Sequence, residues 1–324
     1  MMHQTVRTQA SALEIDGLSV SAWIGGRSYK ALDTISLSVA RGEARGLVGE
    51  SGSGKSLTLR AVMGLLPSNL GVTAGAIRFN GQDLLSDGGK QLQSIRGTGI
   101  SMVFQEPAIA LNPVMKVGRQ IVDGVAERRG LGARQARELA VELLTQVGIK
   151  DPARWVDAYP HQLSGGMRQR VMIASAIASK PEVILCDEPT TALDVTIQAQ
   201  ILTLFKVLKT DLGAGLLYVT HDLGVVAEFC DSLTVMYAGR TVEQSDDLAA
   251  LIAAPAHPYT RALLAAVPRI KGPIKRLRGL ASSAPSLTER DQSPAQALIS
   301  CGPGRQVAPF TAEDERFFAR DEEV

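Results

Sequence analysis

Gly49-Glu50-Ser51-Gly52-Ser53-Gly54-Lys55-Ser56 is the stretch of this sequence that decides the fold. It matches the pattern G-x-x-x-x-G-K-[ST], in which glycines allow backbone N–H groups to close around phosphate oxygens. In this pattern Lys55 reaches the β- and γ-phosphates of a nucleotide, and the hydroxyl of Ser56 is a ligand of Mg²⁺. The stretch therefore predicts a nucleotide-binding phosphate loop.

The residues on either side of this loop fit the same interpretation. Ala44-Arg45-Gly46-Leu47-Val48 has the pattern of a short buried strand, and residues 55–66 have that of a helix. A phosphate at the start of such a helix meets free N–H groups and the positive end of the helix dipole. The sequence thus predicts a strand, a loop and a helix in the order that a phosphate site requires.

The composition limits the class of protein. The chain has 324 residues, of which 45% are hydrophobic, and a formal net charge of +1. This charge gives no global basic field for nucleic acid. No apolar run approaches the roughly 18–20 residues that span a bilayer, and the polar N-terminus lacks a secretory apolar core. Cys186, Cys230 and Cys301 fit neither a disulfide framework nor a close-spaced zinc site. We interpret the chain as a protein of the reducing cytoplasm that is peripheral to any membrane it serves.

The periodicity of the apolar residues divides the chain into regions. Residues 13–104 are rich in strand patterns, and residues 76–81 carry the signal of a hairpin that turns at Asn80-Gly81. Residues 108–161 change to a helical period, and from residue 183 strands and helices alternate. This order predicts a parallel α/β sheet with an inserted helical subdomain.

The last part of the chain has a looser pattern. Residues 270–278 are basic, residues 282–305 are rich in Ser, Pro, Gly and Gln, and residues 313–324 are mostly charged. Such composition predicts a partly ordered extension, with disorder near its end.

Two acids end an apolar strand at Val183-Ile184-Leu185-Cys186-Asp187-Glu188. A strand buried on both faces has no use for carboxylates, so acids at its C-terminal end indicate a site. Asp187 is placed to hold Mg²⁺, and Glu188 to orient and deprotonate an attacking water. The alternative is helix capping or a surface turn after a core strand.

Three further features have both a functional and an ordinary interpretation. Gln105 and His221 each follow an apolar strand, where they could contact Mg²⁺, water or the γ-phosphate, or could be plain polar loop residues. Ser164-Gly165-Gly166 opens a helix, either as an anion-binding turn or as an ordinary N-cap.

The order of these motifs along the chain resembles that of ABC-transporter ATPase subunits. The resemblance covers roughly residues 13–270 and includes the P-loop, Q-loop, signature, Walker B, D-loop and H-loop. In this sequence these are Gly49–Ser56, Gln105, Leu163–Gly166, Asp187-Glu188, Ala192-Leu193-Asp194 and His221.

Neighbouring residues are similar to the oligopeptide/dipeptide importer branch of that family. The segments that carry this similarity are Phe104-Gln105-Glu106-Pro107, Leu111-Asn112-Pro113, Met167-Arg168-Gln169-Arg170, Cys186–Thr196 and His257-Pro258-Tyr259-Thr260-Arg261-Ala262-Leu263-Leu264.

The resemblance implies an architecture. We expect an α/β P-loop ATPase core with an antiparallel β subdomain, an inserted helical subdomain and a C-terminal extension. The implied divisions are a tail at residues 1–12, the ATPase domain at 13–265 with its helical subdomain at about 108–180, and the extension at 266–324.

The resemblance also implies roles for residues, because two such subunits sandwich two ATP molecules head to tail. The chain's own ATP would contact Gly49, Glu50, Ser51, Gly52, Ser53, Gly54, Lys55 and Ser56. Glu188, His221 and Gln105 would be catalytic, and Ser56, Gln105 and Asp187 would hold Mg²⁺. The partner's ATP would contact Ser164, Gly165, Gly166 and Asp194. An aromatic residue would stack on adenine, with Trp23 the first choice and Tyr29 the second.

The implied function is an ATP-hydrolysing subunit of an importer of peptides or similar small solutes. Its partners would be two permease subunits, a second ATPase subunit (a copy or a sister chain) and, indirectly, an extracytoplasmic solute-binding protein. It would lie at the cytoplasmic face of the inner membrane. The alternatives are a soluble ABC ATPase acting on nucleic acid or ribosomes, and an export subunit. Some relatives carry a Cys-rich iron–sulfur segment, but Cys301 alone cannot supply such ligation, so no cluster is expected. The substrate cannot be identified from these residues.

Overall fold

The computed structural model describes residues 11–191, 193–266, 287 and 296–319. The predictions made for residues 1–10, 270–278 and 320–324, and for Ala192 of the D-loop, lie outside the described residues. Within them, no helix is both long and apolar enough to cross a membrane.

Strands and helices alternate along most of the described chain. The strands are β1 (Ser11–Ile24), β2 (Arg27–Ala40), β3 (Ala44–Val48), β4 (Leu70–Phe79), β5 (Gln82–Asp83), β6 (Ile100–Val103), β7 (Val183–Asp187), β8 (Gly215–Thr220), β9 (Ser232–Tyr237), β10 (Arg240–Ser245), β11 (Ile299–Gly302) and β12 (Arg305–Val307). The helices are α1 (Lys55–Val62), α2 (Lys90–Ile95), α3 (Pro107–Ala110), α4 (Val117–Arg129), α5 (Ala133–Gln146), α6 (Pro152–Trp155), α7 (Gly165–Ile177), α8 (Val195–Leu212), α9 (Leu223–Phe229), α10 (Leu248–Ala253), α11 (Pro258–Ala265) and α12 (Ala312–Ala319).

The larger sheet carries the nucleotide loop. Its order among the described residues is β11-β12-β10-β9-β3-β8-β7-β6, and the strands from β9 to β6 are parallel. Every residue of β3, β7 and β8 is buried, which explains why these segments are mostly apolar in the sequence, although β3 contains the buried charge of Arg45. The parallel strands bring the residues that follow β3, β6, β7 and β8 to one edge.

The smaller sheet is antiparallel, in the order β2-β1-β4-β5. Its hairpin from β4 to β5 turns at Asn80 and Gly81, both with positive φ, as a two-residue turn requires. The pairing of β1 with β2 shifts register between Ile15 and Leu18, where the sequence shows Asp16-Gly17. The predicted hairpin is present, and β1 continues through the register shift at Asp16-Gly17 as one strand.

A group of helices, α3 to α7, lies between β6 and β7 in the chain. Buried side chains of α4, α5 and α7 share one apolar core, which includes Ile121, Leu144 and Val171. Their helical spacing is the period that the sequence showed in this region.

The C-terminal segment extends the larger sheet. In antiparallel register, β12 pairs with β10 and β11 pairs with β12. These two strands lie in a stretch rich in Ser, Pro, Gly and Gln. Because of that composition, the short alternation of side chains along the strands could not be recognised in the sequence. The edge of β10 is thereby covered by residues far along the chain.

Candidate nucleotide site

The phosphate loop joins β3 to α1 and depends on its glycines. A Cβ on Gly49 would lie 2.1 Å from the carbonyl oxygen of Met236, and φ at this residue is +154°. A Cβ on Gly54 would lie 2.5 Å from Leu32 Cδ2, with φ at +103°. Only glycine fits both positions, so the loop is shaped for close backbone packing.

Lys55 is folded into this loop. Its Nζ donates to the carbonyl oxygens of Gly49 and Glu50, both at 2.8 Å, and the residue is buried. Burial lowers the pKa of Lys55, while the carboxylates of Glu188 and Asp187 oppose the shift. The ammonium group therefore lies where terminal phosphates of a nucleotide would enter.

Ser56 and Asp187 form the corner expected for Mg²⁺. Ser56 Oγ donates to Asp187 Oδ1 at 2.6 Å, although the two residues are 131 positions apart. Burial raises the pKa of Asp187, and the hydrogen bond from Ser56 opposes that shift. Hydroxyl and carboxylate oxygens are hard ligands of the kind Mg²⁺ takes, so the pair fits that ion.

The carboxylate of Glu188 is the meeting point of the other predicted residues. Its Oε2 lies 3.5 Å from Gln105 Nε2 and 3.3 Å from His221 Nδ1. Glu188 has a φ of +44°, a conformation that a non-glycine residue rarely adopts. The structure thus brings all three predicted catalytic residues together around one strained backbone position.

Thr191 is a member of this group that sequence reasoning missed. Its Oγ1 donates to Glu188 Oε2 at 2.9 Å. A hydroxyl three residues after the predicted base was its only signal in the sequence. Thr191 fixes the orientation of the carboxylate.

These groups open onto one cleft of about 880 Å³. Such a volume is in the range of small-molecule and cofactor sites. The phosphate loop, Gln105, Glu188 and His221 line one side of it, and Ala22, Ile24 and Ala31 of the antiparallel sheet line another. The cleft is therefore formed by both sheets.

The prediction that Trp23 stacks on adenine does not agree with the strand geometry. Trp23 is not among the described residues that line the cleft, and a Cβ on Gly71 would meet its ring at 3.1 Å. Ala22, its neighbour, does line the cleft, and successive residues of a strand point to opposite faces. Tyr29 is the cross-strand partner of Ala22 and so shares its face. Tyr29 does not itself line the cleft, but it is the better placed of the two aromatics.

The predicted signature lies at the start of α7, outside this cleft. Ser164 is exposed and caps the helix, because its Oγ accepts the N–H of Met167 at 3.3 Å. Gly165 is exposed too, with nothing within 4 Å of a Cβ placed on it. None of the described residues of this turn lines the cleft.

Asp194 belongs to the same exposed surface. Its Oδ1 accepts the N–H of Ile197 at 2.9 Å and so caps α8. A Cβ on Gly166 would touch the Ile197 side chain at 3.0 Å, which places the starts of α7 and α8 side by side. The residues predicted to contact a partner's nucleotide thus form a second, separate cluster.

Two family models match separate parts of the chain. The model described as ABC transporter matches residues 32–191. The model described as Oligopeptide/dipeptide transporter, C-terminal region, matches residues 242–301.

Individual relatives are similar over most of the chain. A putative peptide import ATP-binding protein of Brucella melitensis is 45% identical over 281 residues, which cover 87% of this chain and 84% of the relative. The dipeptide transport ATP-binding protein DppD of Escherichia coli is 47% identical over 278 residues, covering 86% and 85%. A dimeric ATP-binding cassette, solved in a post-hydrolysis state with ADP and Pi, superposes with a TM-score of 0.64 and 29% identity. That match covers 72% of this chain and 97% of the cassette.

Proposed function

The chain belongs to the ATP-binding proteins of ABC transporters, in the peptide-import branch, and on that premise we propose that it binds and hydrolyses ATP to energise peptide import through a membrane permease. The observation that carries the proposal is the convergence of Lys55, the Ser56–Asp187 pair and Glu188 on one cleft. The relatives are named for transport, which leaves the nucleic-acid alternative without support.

Each residue of the cleft has a role in this proposal. Lys55 Nζ exchanges its loop carbonyls for phosphate oxygens when ATP enters. Ser56, Asp187 and Gln105 would hold Mg²⁺, which would supply charge neutralisation at the terminal phosphates.

Glu188 orients and deprotonates the attacking water, with Thr191 and Gln105 holding its carboxylate. His221 lies 3.3 Å from the same carboxylate and contacts the γ-phosphate.

A second ATPase subunit completes the site. Ser164, Gly165, Gly166 and Asp194 are the residues we assign to the ATP held by that partner. Two observations support this: these residues form an exposed cluster apart from the chain's own cleft, and the similar solved cassette is a dimer. The partner is a copy of this chain or a sister chain.

The permease docks where the helical subdomain meets the sheet. A groove of about 370 Å³ lies there, lined in part by Leu65, Phe104 and Leu111. Ile109 of α3 and Val114, in the segment that follows Gln105, are each 79% exposed. An apolar groove beside exposed apolar residues fits a short amphipathic helix from a partner. We place this surface against two permease subunits at the cytoplasmic face of the inner membrane, with a solute-binding protein on the other side.

The test is peptide uptake and ATP hydrolysis by the complex reconstituted in proteoliposomes. Both activities should require MgATP in the wild type. Glu188→Gln should retain ATP binding while hydrolysis falls by about 10²–10⁴-fold, and Lys55→Ala should lose ATP binding. Hydrolysis at the wild-type rate in Glu188→Gln would refute the base assignment. Hydrolysis without uptake of any peptide would refute the import function while leaving the ATPase intact.

A further inference from the structure

We propose that Tyr259 is a positioning residue of the phosphate loop, and that helix α12 holds Tyr259 in place through Phe318. The inference deepens the proposed function and rests on it, because it concerns the loop assigned to ATP. It gives the C-terminal region a role in the nucleotide site itself.

The first observation is a hydrogen bond between distant parts of the chain. The hydroxyl of Tyr259, on α11, accepts the backbone N–H of Glu50 at 3.0 Å. The side chain of Tyr259 is completely buried, and 209 positions separate the two residues. Burial raises the pKa of Tyr259, so its hydroxyl stays neutral at physiological pH.

The second observation is the peptide to which this bond is made. The N–H of Glu50 and the carbonyl of Gly49 belong to one planar peptide group, and they point to opposite sides of it. The hydroxyl of Tyr259 holds the N–H side, while Lys55 Nζ donates to the carbonyl side at 2.8 Å. Rotation of this peptide would break both bonds, so Tyr259 determines the orientation of the carbonyl that holds Lys55.

The third observation is the rigid setting of Tyr259 at the start of α11. His257 caps this helix, with its Nδ1 accepting the N–H of Tyr259 at 3.1 Å. Glu243, buried in β10, accepts the N–H groups of Ala256 and His257, each at 2.9 Å. Burial lowers the pKa of His257 to about 4, so the ring remains a neutral acceptor. The tyrosine therefore projects from a fixed backbone.

The fourth observation connects α12 to the same ring. Phe318 lies edge-on to Tyr259, with ring centroids 5.5 Å apart, and also contacts Tyr237 at 5.3 Å. Arg261 of α11 pairs with Glu315 of α12 at 2.6 Å. Edge-to-face rings restrict one another's position. The helix that follows the C-terminal hairpin thus reaches the phosphate loop through one aromatic contact.

Tyr259→Phe removes the hydroxyl and leaves the ring, so it tests the hydrogen bond alone. In the full-length chain, titration calorimetry with MgATP should show Kd raised about tenfold, the effect of losing one buried hydrogen bond. The titration is done in a Glu188→Gln background, which prevents turnover. In the assembled complex with Glu188 intact, Tyr259→Phe should raise KM for ATP by a similar factor. The same variant should change kcat by less than about twofold.

A matched control separates positioning from general loss of stability. Tyr218→Phe makes the same chemical change in an equally buried tyrosine, whose hydroxyl contacts the Thr190 side chain at 3.4 Å. It should leave Kd for MgATP unchanged. An unchanged Kd and KM in Tyr259→Phe, or an equal change in Tyr218→Phe, would overturn the proposal.

The contribution of α12 is tested with two adjacent residues. Phe318→Ala removes the ring beside Tyr259 and should raise Kd about threefold, less than the direct loss of the bond. Phe317→Ala removes a more exposed ring of the same helix, which contacts Phe318 with ring centroids 5.0 Å apart, and should raise Kd less than Phe318→Ala does. Equal effects of the two variants would overturn the role of Phe318. A wild-type chain that binds no MgATP, or a Lys55→Ala variant that binds normally, would instead refute the proposed function.

Discussion

The N-terminus of α1 is buried and crowded, whereas the N-terminus of α7 is exposed and relaxed. At α1, Lys55 is buried among carbonyls, and Asp187 lies under Ser56. At α7, Ser164 makes an ordinary cap and Gly165 faces open space. Both helix starts are suited to phosphate, yet only the first is surrounded by its own chain.

On the proposed function, the difference separates the half of the site that this chain prepares from the half that a partner would complete. Burial lowers the pKa of Lys55 and raises that of Asp187, so both charges are held at a cost to the folded chain. Groups fixed before the substrate arrives need no reorganisation during the reaction. The exposed start of α7 has no such cost of buried charge. That is the arrangement expected of a surface that a second subunit completes.

Among the variants that test this comparison, Gly165→Asp is expected to have the largest effect. An aspartate at the first position of α7 should stabilise the helix by about 0.3–1 kcal/mol through its dipole. The same carboxylate would face the partner's γ-phosphate. At about 4 Å and an effective dielectric constant near 20 this repulsion is about 4 kcal/mol, so hydrolysis should fall by about 10²–10³-fold. Thermal melting and ATPase assays of the complex measure the two effects.

A mixing experiment sharpens this result. Gly165→Asp and Lys55→Ala chains lack different halves of the site, so mixed dimers contain one intact combination. Hydrolysis should therefore reappear on mixing if this chain pairs with a copy of itself. Full activity of Gly165→Asp alone would show that the start of α7 does not contact nucleotide, and the comparison would fail.

Asp187→Asn tests how much stability the folded chain loses by burying the carboxylate of Asp187. The amide keeps an acceptor for Ser56 but removes a buried charge, so the nucleotide-free chain should melt a few degrees higher. The added stabilisation by MgATP should disappear, because one ligand of the ion is lost. Asp194→Asn is the matched control: the same change in an exposed cap, where either residue caps well, should alter neither the melting of the isolated chain nor the binding of MgATP in its own cleft.

The pH dependence of stability gives the sign of the contribution that the Asp187 carboxyl makes to folding. The pKa of Asp187 is raised in the folded chain, so as pH falls its carboxyl takes up a proton before that of the unfolded chain. The native state gains stability from this group as pH falls, and the advantage of Asp187→Asn should narrow between pH 7 and 4. An advantage that grows on acidification would contradict the assignment.

The site was predictable from sequence where it follows parallel strands. Gln105, Asp187 and His221 each lie at the end of a strand or within two residues of it, and the sheet brings those ends to one edge whatever the loops do. The resemblance to peptide-importer ATPases is confirmed by relatives that cover most of the chain. Contacts set by tertiary packing were not predictable: nothing in the sequence pattern connects Tyr259 to Glu50, and Thr191 was missed because its neighbours carried a stronger motif.

The register of β1 and β2 could not be predicted from the sequence either. It determines the prediction with the smallest expected effect. Trp23 was the expected adenine partner from its place along the chain, but the alternation of β1 puts its ring over Gly71 and its neighbour Ala22 on the cleft. The paired residue Tyr29 shares the face of Ala22. We therefore propose Tyr29, which shares the face of Ala22 without lining the cleft itself, as the aromatic residue for the base.

Tyr29→Ala should raise Kd for MgATP about fivefold, because stacking of a base on an aromatic ring contributes about 1 kcal/mol at the lower end of its range. Trp23→Ala should leave Kd unchanged, since the ring it removes lies on the opposite face. Titration with MgATP measures both, and titration with magnesium triphosphate supplies the control: it lacks a base, so Tyr29→Ala should bind it as the wild type does. A loss confined to Trp23→Ala would mean that the strand pairing rearranges when nucleotide binds. The part of the site that is formed before nucleotide binds would then include the phosphate loop but not the antiparallel sheet that contacts the base.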